Sequence, residues 1–285
     1  MPRILGPTVR RRRLGAELRR LREARGLKLE DVAPDFGMSR ATIGRIETAD
    51  VGVSSDDVLQ LLDIYEVRDE GQRQALVALA RQAKRRGWWH SYKGLVAGPY
   101  ADLISLESDA TATRTWEPQY VPGLLQTEGY ARAVTEASRF GVGEDALEQF
   151  VAVRMQRQQV LTRKANSLRI QAVIWEPALR MQIGEPGVMR AQLERLVELS
   201  GLPHVDIQVL PMPTEAHAGM QGGFSMLDFG SSVLDVVVLE SMTAMLYLEE
   251  EDEIERYDRV FNDLRASALS YGESKKFLAG IAKEC

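Results

Sequence analysis

The chain has 285 residues, 45% of them hydrophobic and 27% charged, with a formal net charge of −5. This is the balance of an ordinary globular protein long enough for two domains, and it excludes a disordered or fibrous chain. No apolar run nears the 18 residues of a membrane span or the core of a signal peptide, and the single cysteine, Cys285, cannot staple a fold, so a cytoplasmic location is expected. The charge is uneven. Residues 1–50 hold 12 basic against 7 acidic side chains, a net +5 that leaves −10 for the rest. A basic head on an acidic body points to a polyanion partner at the head, although charge runs are also ordinary solvated faces.

In the head, Leu14, Leu18 and Leu21 recur at helical spacing over residues 14–25, and Gly26 ends that helix. A second short helix is expected over residues 29–36, with Val32, Ala33 and Phe36 inward, and Gly37 supplies the turn after it. Ser39 is a natural N-cap for a third helix to about Thr48, which buries Ile43 and Ile46. Ser54 and Asp57 have capping-box spacing for a fourth helix that buries Val58, Leu61, Leu62 and Tyr65.

Two helices joined by a glycine turn form a helix-turn-helix, whose later helix fits the major groove. At about 100° per residue, Ile43 and Ile46 set the core side of the third helix. Arg40, Ala41, Gly44 and Arg45 then face DNA. Either arginine can offer a bidentate fork to guanine, while Ala41 and Gly44 permit close approach.

Residues 14–65, above all GLKLEDVAPDFGMSRATIGRIE, resemble the XRE family, the helix-turn-helix class of the lambdoid phage repressors. The resemblance implies a lambda-repressor-like helix bundle that reads base edges with Arg40, Ala41, Gly44 and Arg45. It implies phosphate contacts from Lys28, Ser39 and Thr42, and a buried structural ion pair between Arg22 and Glu47. Two departures stand out. Pro34 lies inside the second helix, where it removes a backbone donor. The loop after Glu47 has no basic residue and includes Asp50, in a place where the family often touches phosphate. Compensation is expected from an arm over residues 1–13. There Arg10, Arg11, Arg12 and Arg13 either follow phosphates and a groove or form a solvated tail.

The head therefore covers residues 1–67. A charged linker helix is expected over 68–90, and a regulatory or dimerisation domain over 91–285. Trp88 and Trp89 are expected as buried anchors past the linker. In the body, helices are expected over 102–115, 144–164, 187–200 and 251–269, with a last helix capped by Ser270 and Glu273. Strands are expected at 168–176, 205–211, 224–229, 233–240 and 244–249. The fold class is mainly α with an α+β C-terminal part, built on a sheet of four or five strands with surrounding helices.

PGLLQTEGYAR (122–132), RMQRQQVLTR (154–163), MRAQLERLVEL (189–199) and VDIQVLP (205–211) resemble the actinobacterial domain of unknown function that commonly follows an XRE head. That resemblance implies an antitoxin-like regulator whose body binds a small protein encoded by a neighbouring gene. The alternative is a small-molecule effector bound near Trp175, Tyr247 and the 217–223 loop. An enzyme is the least favoured class. HAGMQGGF (217–224) precedes a strand rather than a helix and has no lysine, unlike a phosphate cradle. Glu176 and Glu240 end two strands but have no set separation. His90, His204 and His217 are scattered, so no metal or cofactor is expected. One helix-turn-helix reads only a half-site, so a homodimer on a palindromic double-stranded operator is expected, with no membrane association.

Overall fold

Arginine is a good helix former, and in the computed structural model of the protein the first helix, α1 (Val9–Ala24), starts a full turn before Leu14. The structure describes residues 9–82, 87–92, 95–96, 98–138, 143–230, 235–241 and 244–285. Residues 1–8 of the expected arm and 83–86 of the expected linker helix lie outside them. Arg10 to Arg13 belong to α1, not to an arm preceding it: Arg10 and Arg13 are buried and Arg12 is exposed.

Gly26, at φ 69°, closes the turn after α1. Asp31 caps α2 (Leu29–Phe36) by accepting from the Lys28 N–H at 2.7 Å. Pro34 sits exposed inside this helix, which runs on to Phe36. Gly37, at φ 71°, takes the left-handed turn that a side chain would strain. α3 (Arg40–Glu47) follows, capped by the Ser39 hydroxyl, which accepts from the Thr42 N–H at 3.2 Å. α4 (Ser55–Ile64) has the reciprocal Ser54–Asp57 box, and α5 (Glu70–Gln82) closes the bundle. Leu14, Leu18, Val32, Phe36, Ile43, Ile46, Val58, Leu61 and Leu62 form its core.

The chain divides into two units between His90 and Ser91, residues 231–234 aside. Within the first, Trp88 and Trp89 meet edge to face at 5.9 Å, with Trp89 buried.

In the second unit, α6 (Pro99–Asp109) stops six residues short of the expected end, and β1 (Ala112–Glu117) replaces the rest. The stretch ATRTWE alternates, and β-branched Thr113 and Thr115 with Trp116 favour a pleated surface. Then come α7 (Glu128–Ser138), α8 (Glu144–Arg157), α9 (Gln159–Thr162), β2 (Arg169–Trp175), α10 (Glu176–Arg180), α11 (Val188–Leu199), β3 (Val205–Leu210), β4 (Phe224–Asp228), β5 (Val236–Glu240), β6 (Met245–Leu248), α12 (Glu251–Ser267) and α13 (Tyr271–Ile281). The strands form one six-stranded sheet in the order β3-β2-β1-β4-β5-β6. β1, β2 and β3 are parallel; β4, β5 and β6 continue antiparallel from β1. The architecture is mixed α+β.

Strand register gives the two faces of this sheet different chemistry. Trp116 stands beside Val173 and Phe224, and Met226 beside Val237. These side chains make an apolar core with Phe261 and Leu264 of α12. The alternate residues, Thr113, Thr115 and Glu117 of β1 with Ser225 of β4 and Val238 and Glu240 of β5, point the other way.

Candidate nucleic-acid interface

Burial of Ile43 and Ile46 fixes the rotation of α3, so Arg40, Ala41 and Arg45 are exposed and Gly44 is half-buried. Arg40 and Arg45 make no hydrogen bond or ion pair among the described residues. By contrast Arg19, Arg20, Arg22, Arg25 and Arg73 of the same unit are each held by a carboxylate. Two guanidinium groups on one exposed helix face therefore remain available to a partner.

Ser39 and Thr42 sit at the start of α3, with their hydroxyls 3.0 Å apart. Lys28 is exposed, and its ammonium lies 4.0 Å from Glu30. The Asp50 carboxylate of the loop after α3 is 2.7 Å from the Thr48 hydroxyl. Arg11 reaches this loop from α1: its guanidinium would lie 3.7 Å from a Cβ placed on Gly52. Of the four arginines at 10–13, Arg12 is the most exposed.

Arg22 and Glu47 hold α1 to α3. Nε and Nη2 of Arg22 donate to the two carboxylate oxygens at 2.7 and 2.9 Å, and Nη1 donates to the Leu27 carbonyl at 2.6 Å. The two side chains are only 8% and 5% exposed. Their contact raises the guanidinium pKa, chiefly through the hydrogen bond to Glu47. Tyr65 is buried beside this pair, and burial with the Glu47 charge pushes its ionisation up.

Gly15 permits the close crossing of the same two helices. A Cβ there would lie 2.5 Å from the Glu47 carbonyl oxygen and 2.7 Å from that of Ile46. These are backbone atoms, so α3 itself would have to move. Gly15→Ala is expected to cost the head about 1–3 kcal/mol and to lower DNA affinity through displacement of α3. Urea unfolding and DNA titration check both effects; unchanged stability and affinity would rule out a tight crossing.

The second unit holds a cavity of about 90 Å³ on the polar face of the sheet. Its sheet wall includes Thr113, Thr115, Glu117, Ser225, Val238 and Glu240. Tyr100, Leu103 and Glu107 of α6, Arg154 and Arg157 of α8, and Gln119 and Tyr120 also line it. Arg157 and Glu107 form a buried pair, with 2.6 Å between Nε and Oε2 and 3.0 Å between Nη2 and Oε1. Burial pushes the Glu107 carboxyl up, and the Arg157 guanidinium opposes this. Burial also pushes Glu117 up, to about 8, with the nearby Glu240 charge adding to it. Sequence reasoning did not find this site. Its signal was the i, i+2, i+4 series Thr113, Thr115, Glu117, hidden in a stretch expected to be helical.

Trp175 and Tyr247, the residues expected around an effector, do not line this cavity. Trp175 packs on the apolar core of the opposite face, and the Tyr247 hydroxyl donates to the Pro99 carbonyl at 2.5 Å. Within the 217–223 loop, Ala218–Gln221 form a short 3-10 turn, whose Gly219 carbonyl accepts from Trp116 Nε1 at 2.8 Å. Glu176 and Glu240 are not brought together: β1 and β4 lie between their strands, and Glu176 is bonded to Arg180 and to the Met212 N–H. Among the described residues no cluster of His, Cys, Asp or Glu could hold a metal ion, and no helix is long and apolar enough to cross a membrane.

Two family comparisons agree with this division. A family described as Helix-turn-helix domain matches residues 13–76, and one described as Domain of unknown function (DUF5753) matches residues 100–280. Searches of curated proteins and of solved structures returned no match.

Proposed function

The chain belongs to the Domain of unknown function (DUF5753) family, here behind a helix-turn-helix head, and from that premise we propose that it is a sequence-specific transcriptional regulator of the XRE type. The observation that carries this reading is the exposed face of α3, where Arg40 and Arg45 stand uncommitted beside two small residues. Arg40 and Arg45 read guanines bidentately, and Ala41 and Gly44 let the helix approach the base edges. Lys28, Ser39 and Thr42 hold phosphates. Arg11 adds charge near the loop that lacks its own and Arg12 is exposed on α1, whereas buried Arg10 and Arg13 are less suited to that task.

Two copies bind a palindrome, with half-sites about 34 Å apart, and the second unit joins them because a head this small has little surface left over. Crosslinking in the presence of DNA tests this; a monomer only would refute it. The chain acts in the cytoplasm, on the nucleoid.

Lys28→Ala is expected to weaken binding to all sequences alike and to reduce the salt slope by about one. Affinity measured across a salt series on specific and random duplexes checks this. A loss confined to the specific duplex would make Lys28 a base reader instead.

The second unit decides when the head holds DNA. The family resemblance supports control by a small protein from a neighbouring gene. The polar cavity supports a second reading, in which an effector enters the sheet side of the domain. Co-purification with the product of an adjacent short gene favours the first; a thermal shift with metabolites and no such product favours the second.

A further inference from the structure

We infer that the cavity between the polar sheet face, α6 and α8 binds a small organic cation, an alkylammonium group, held by Glu117 and Glu240. The inference is independent of DNA reading by the head.

Charge sets what the cavity can hold. Arginine stays protonated in proteins, and the two-pronged contact with Glu107 accounts for the charge of Arg157. Arg154 spends one donor on Gln126 Oε1 at 2.8 Å. Glu117 and Glu240 make no hydrogen bond or ion pair among the described residues. With both ionised, the cavity carries one negative charge beyond what Arg154 balances. Buried charge without a partner is costly, so the empty site keeps a proton on Glu117, whose pKa is raised to about 8 by burial and by Glu240. Arg154 and Arg157 of α8 oppose that shift without cancelling it. A monovalent cation supplies the missing charge and takes the place of that proton.

The walls fit the same class of ligand. Tyr100 and Tyr120 line the cavity with aromatic rings, which attract organic cations. Thr113 and Thr115 are buried on the sheet wall, while Glu240 and Gln119 are exposed and mark the mouth. Gly223 keeps the space open, since a Cβ there would lie 3.1 Å from Glu117 Oε2. A cavity of about 150 Å³ holds benzene, so about 90 Å³ suits an ammonium with a stem of two or three carbons. A free amine and the tip of a partner protein's lysine share that chemistry.

Calorimetric titration of the full chain with n-propylammonium chloride tests the inference, with n-propanol as the uncharged control. Saturable binding of the amine but not of the alcohol is expected. Close to one proton should be released per site at pH 7, read from the dependence of heat on buffer ionisation. Affinity should rise about tenfold per pH unit between pH 6 and 7.5, as Glu117 gives up its proton. Glu117→Gln should weaken binding at least tenfold at pH 8 and remove the proton release. Should that variant fail to fold, the proton release and pH slope of the unaltered chain decide. A second titration with Nα-acetyl-lysine amide separates the sources: tighter binding than propylammonium identifies a lysine of a protein, and weaker binding identifies a free amine. Equal binding of amine and alcohol, no proton release, or full affinity in Glu117→Gln would overturn the inference.

Discussion

Glu47→Ala is expected to destabilise the head by about 3–5 kcal/mol, a large share of the stability of so small a bundle. The loss has little to do with the net worth of the ion pair. Removing Glu47 leaves the Arg22 guanidinium in a site where it is 8% exposed, with the Leu27 carbonyl at 2.6 Å and the half-exposed Glu23 carboxylate, at a long 3.4 Å, as its remaining partners. Stranding a charge in that way costs far more than the pair contributes relative to an apolar replacement. The double replacement Arg22→Met with Glu47→Leu should therefore recover most of the stability. Amide hydrogen exchange in α1 and α3 reports the head separately from the second unit. Protection in Glu47→Ala should fall a hundredfold or more, and the double variant should regain most of it. Equal loss in both would mean that the pair itself, rather than the stranded charge, sets the stability.

Arg45→Ala is the second large effect. Arg45 is exposed and has no partner among the described residues, so its removal should leave the fold intact. On a specific operator it should weaken binding by about 1–3 kcal/mol and relax the preference at one base position. Random DNA should lose only the small share that belongs to one positive charge. Arg40→Ala should behave alike at a neighbouring position. Quantitative binding to a library of operator variants separates base reading from a general charge effect. An equal loss on every sequence would place Arg45 on the phosphate backbone.

The head was largely legible in the sequence because its signals are local. Leucine spacing, Gly26, Gly37, Ser39 and the Ser54–Asp57 box each act within one or two turns. The main departure concerned Arg10 to Arg13. Four arginines in a row suggest a mobile arm by charge, yet arginine propagates a helix well, and α1 extends back to Val9. Gly15 escaped notice because nothing in its own neighbourhood reveals that two carbonyls of α3 cross beside it.

The second unit was legible in its outer strands and late helices, where β-rich runs and caps are clear. β1 was not, because polar threonines and Arg114 disguise a strand that lies inside the sheet. Its odd-numbered residues meet the cavity, while Trp116 reaches the apolar core and Arg114 the carboxylate of Asp228 at 2.8 Å. A strand with a functional face breaks the hydrophobic pattern that would announce it. The cavity also draws on residues from Tyr100 to Glu240, far apart in sequence, so no short motif could expose it.

α3 is the proposed reading helix of the first unit. Selection of bound duplexes from a random pool, run with the full chain and with Arg40→Ala/Arg45→Ala side by side, tests that most directly. A two-fold symmetric motif with half-sites about 10–10.5 base pairs apart should emerge from the unaltered chain. Its information content should collapse in the double variant. An identical motif from both, or no motif from either, would contradict DNA reading through this helix.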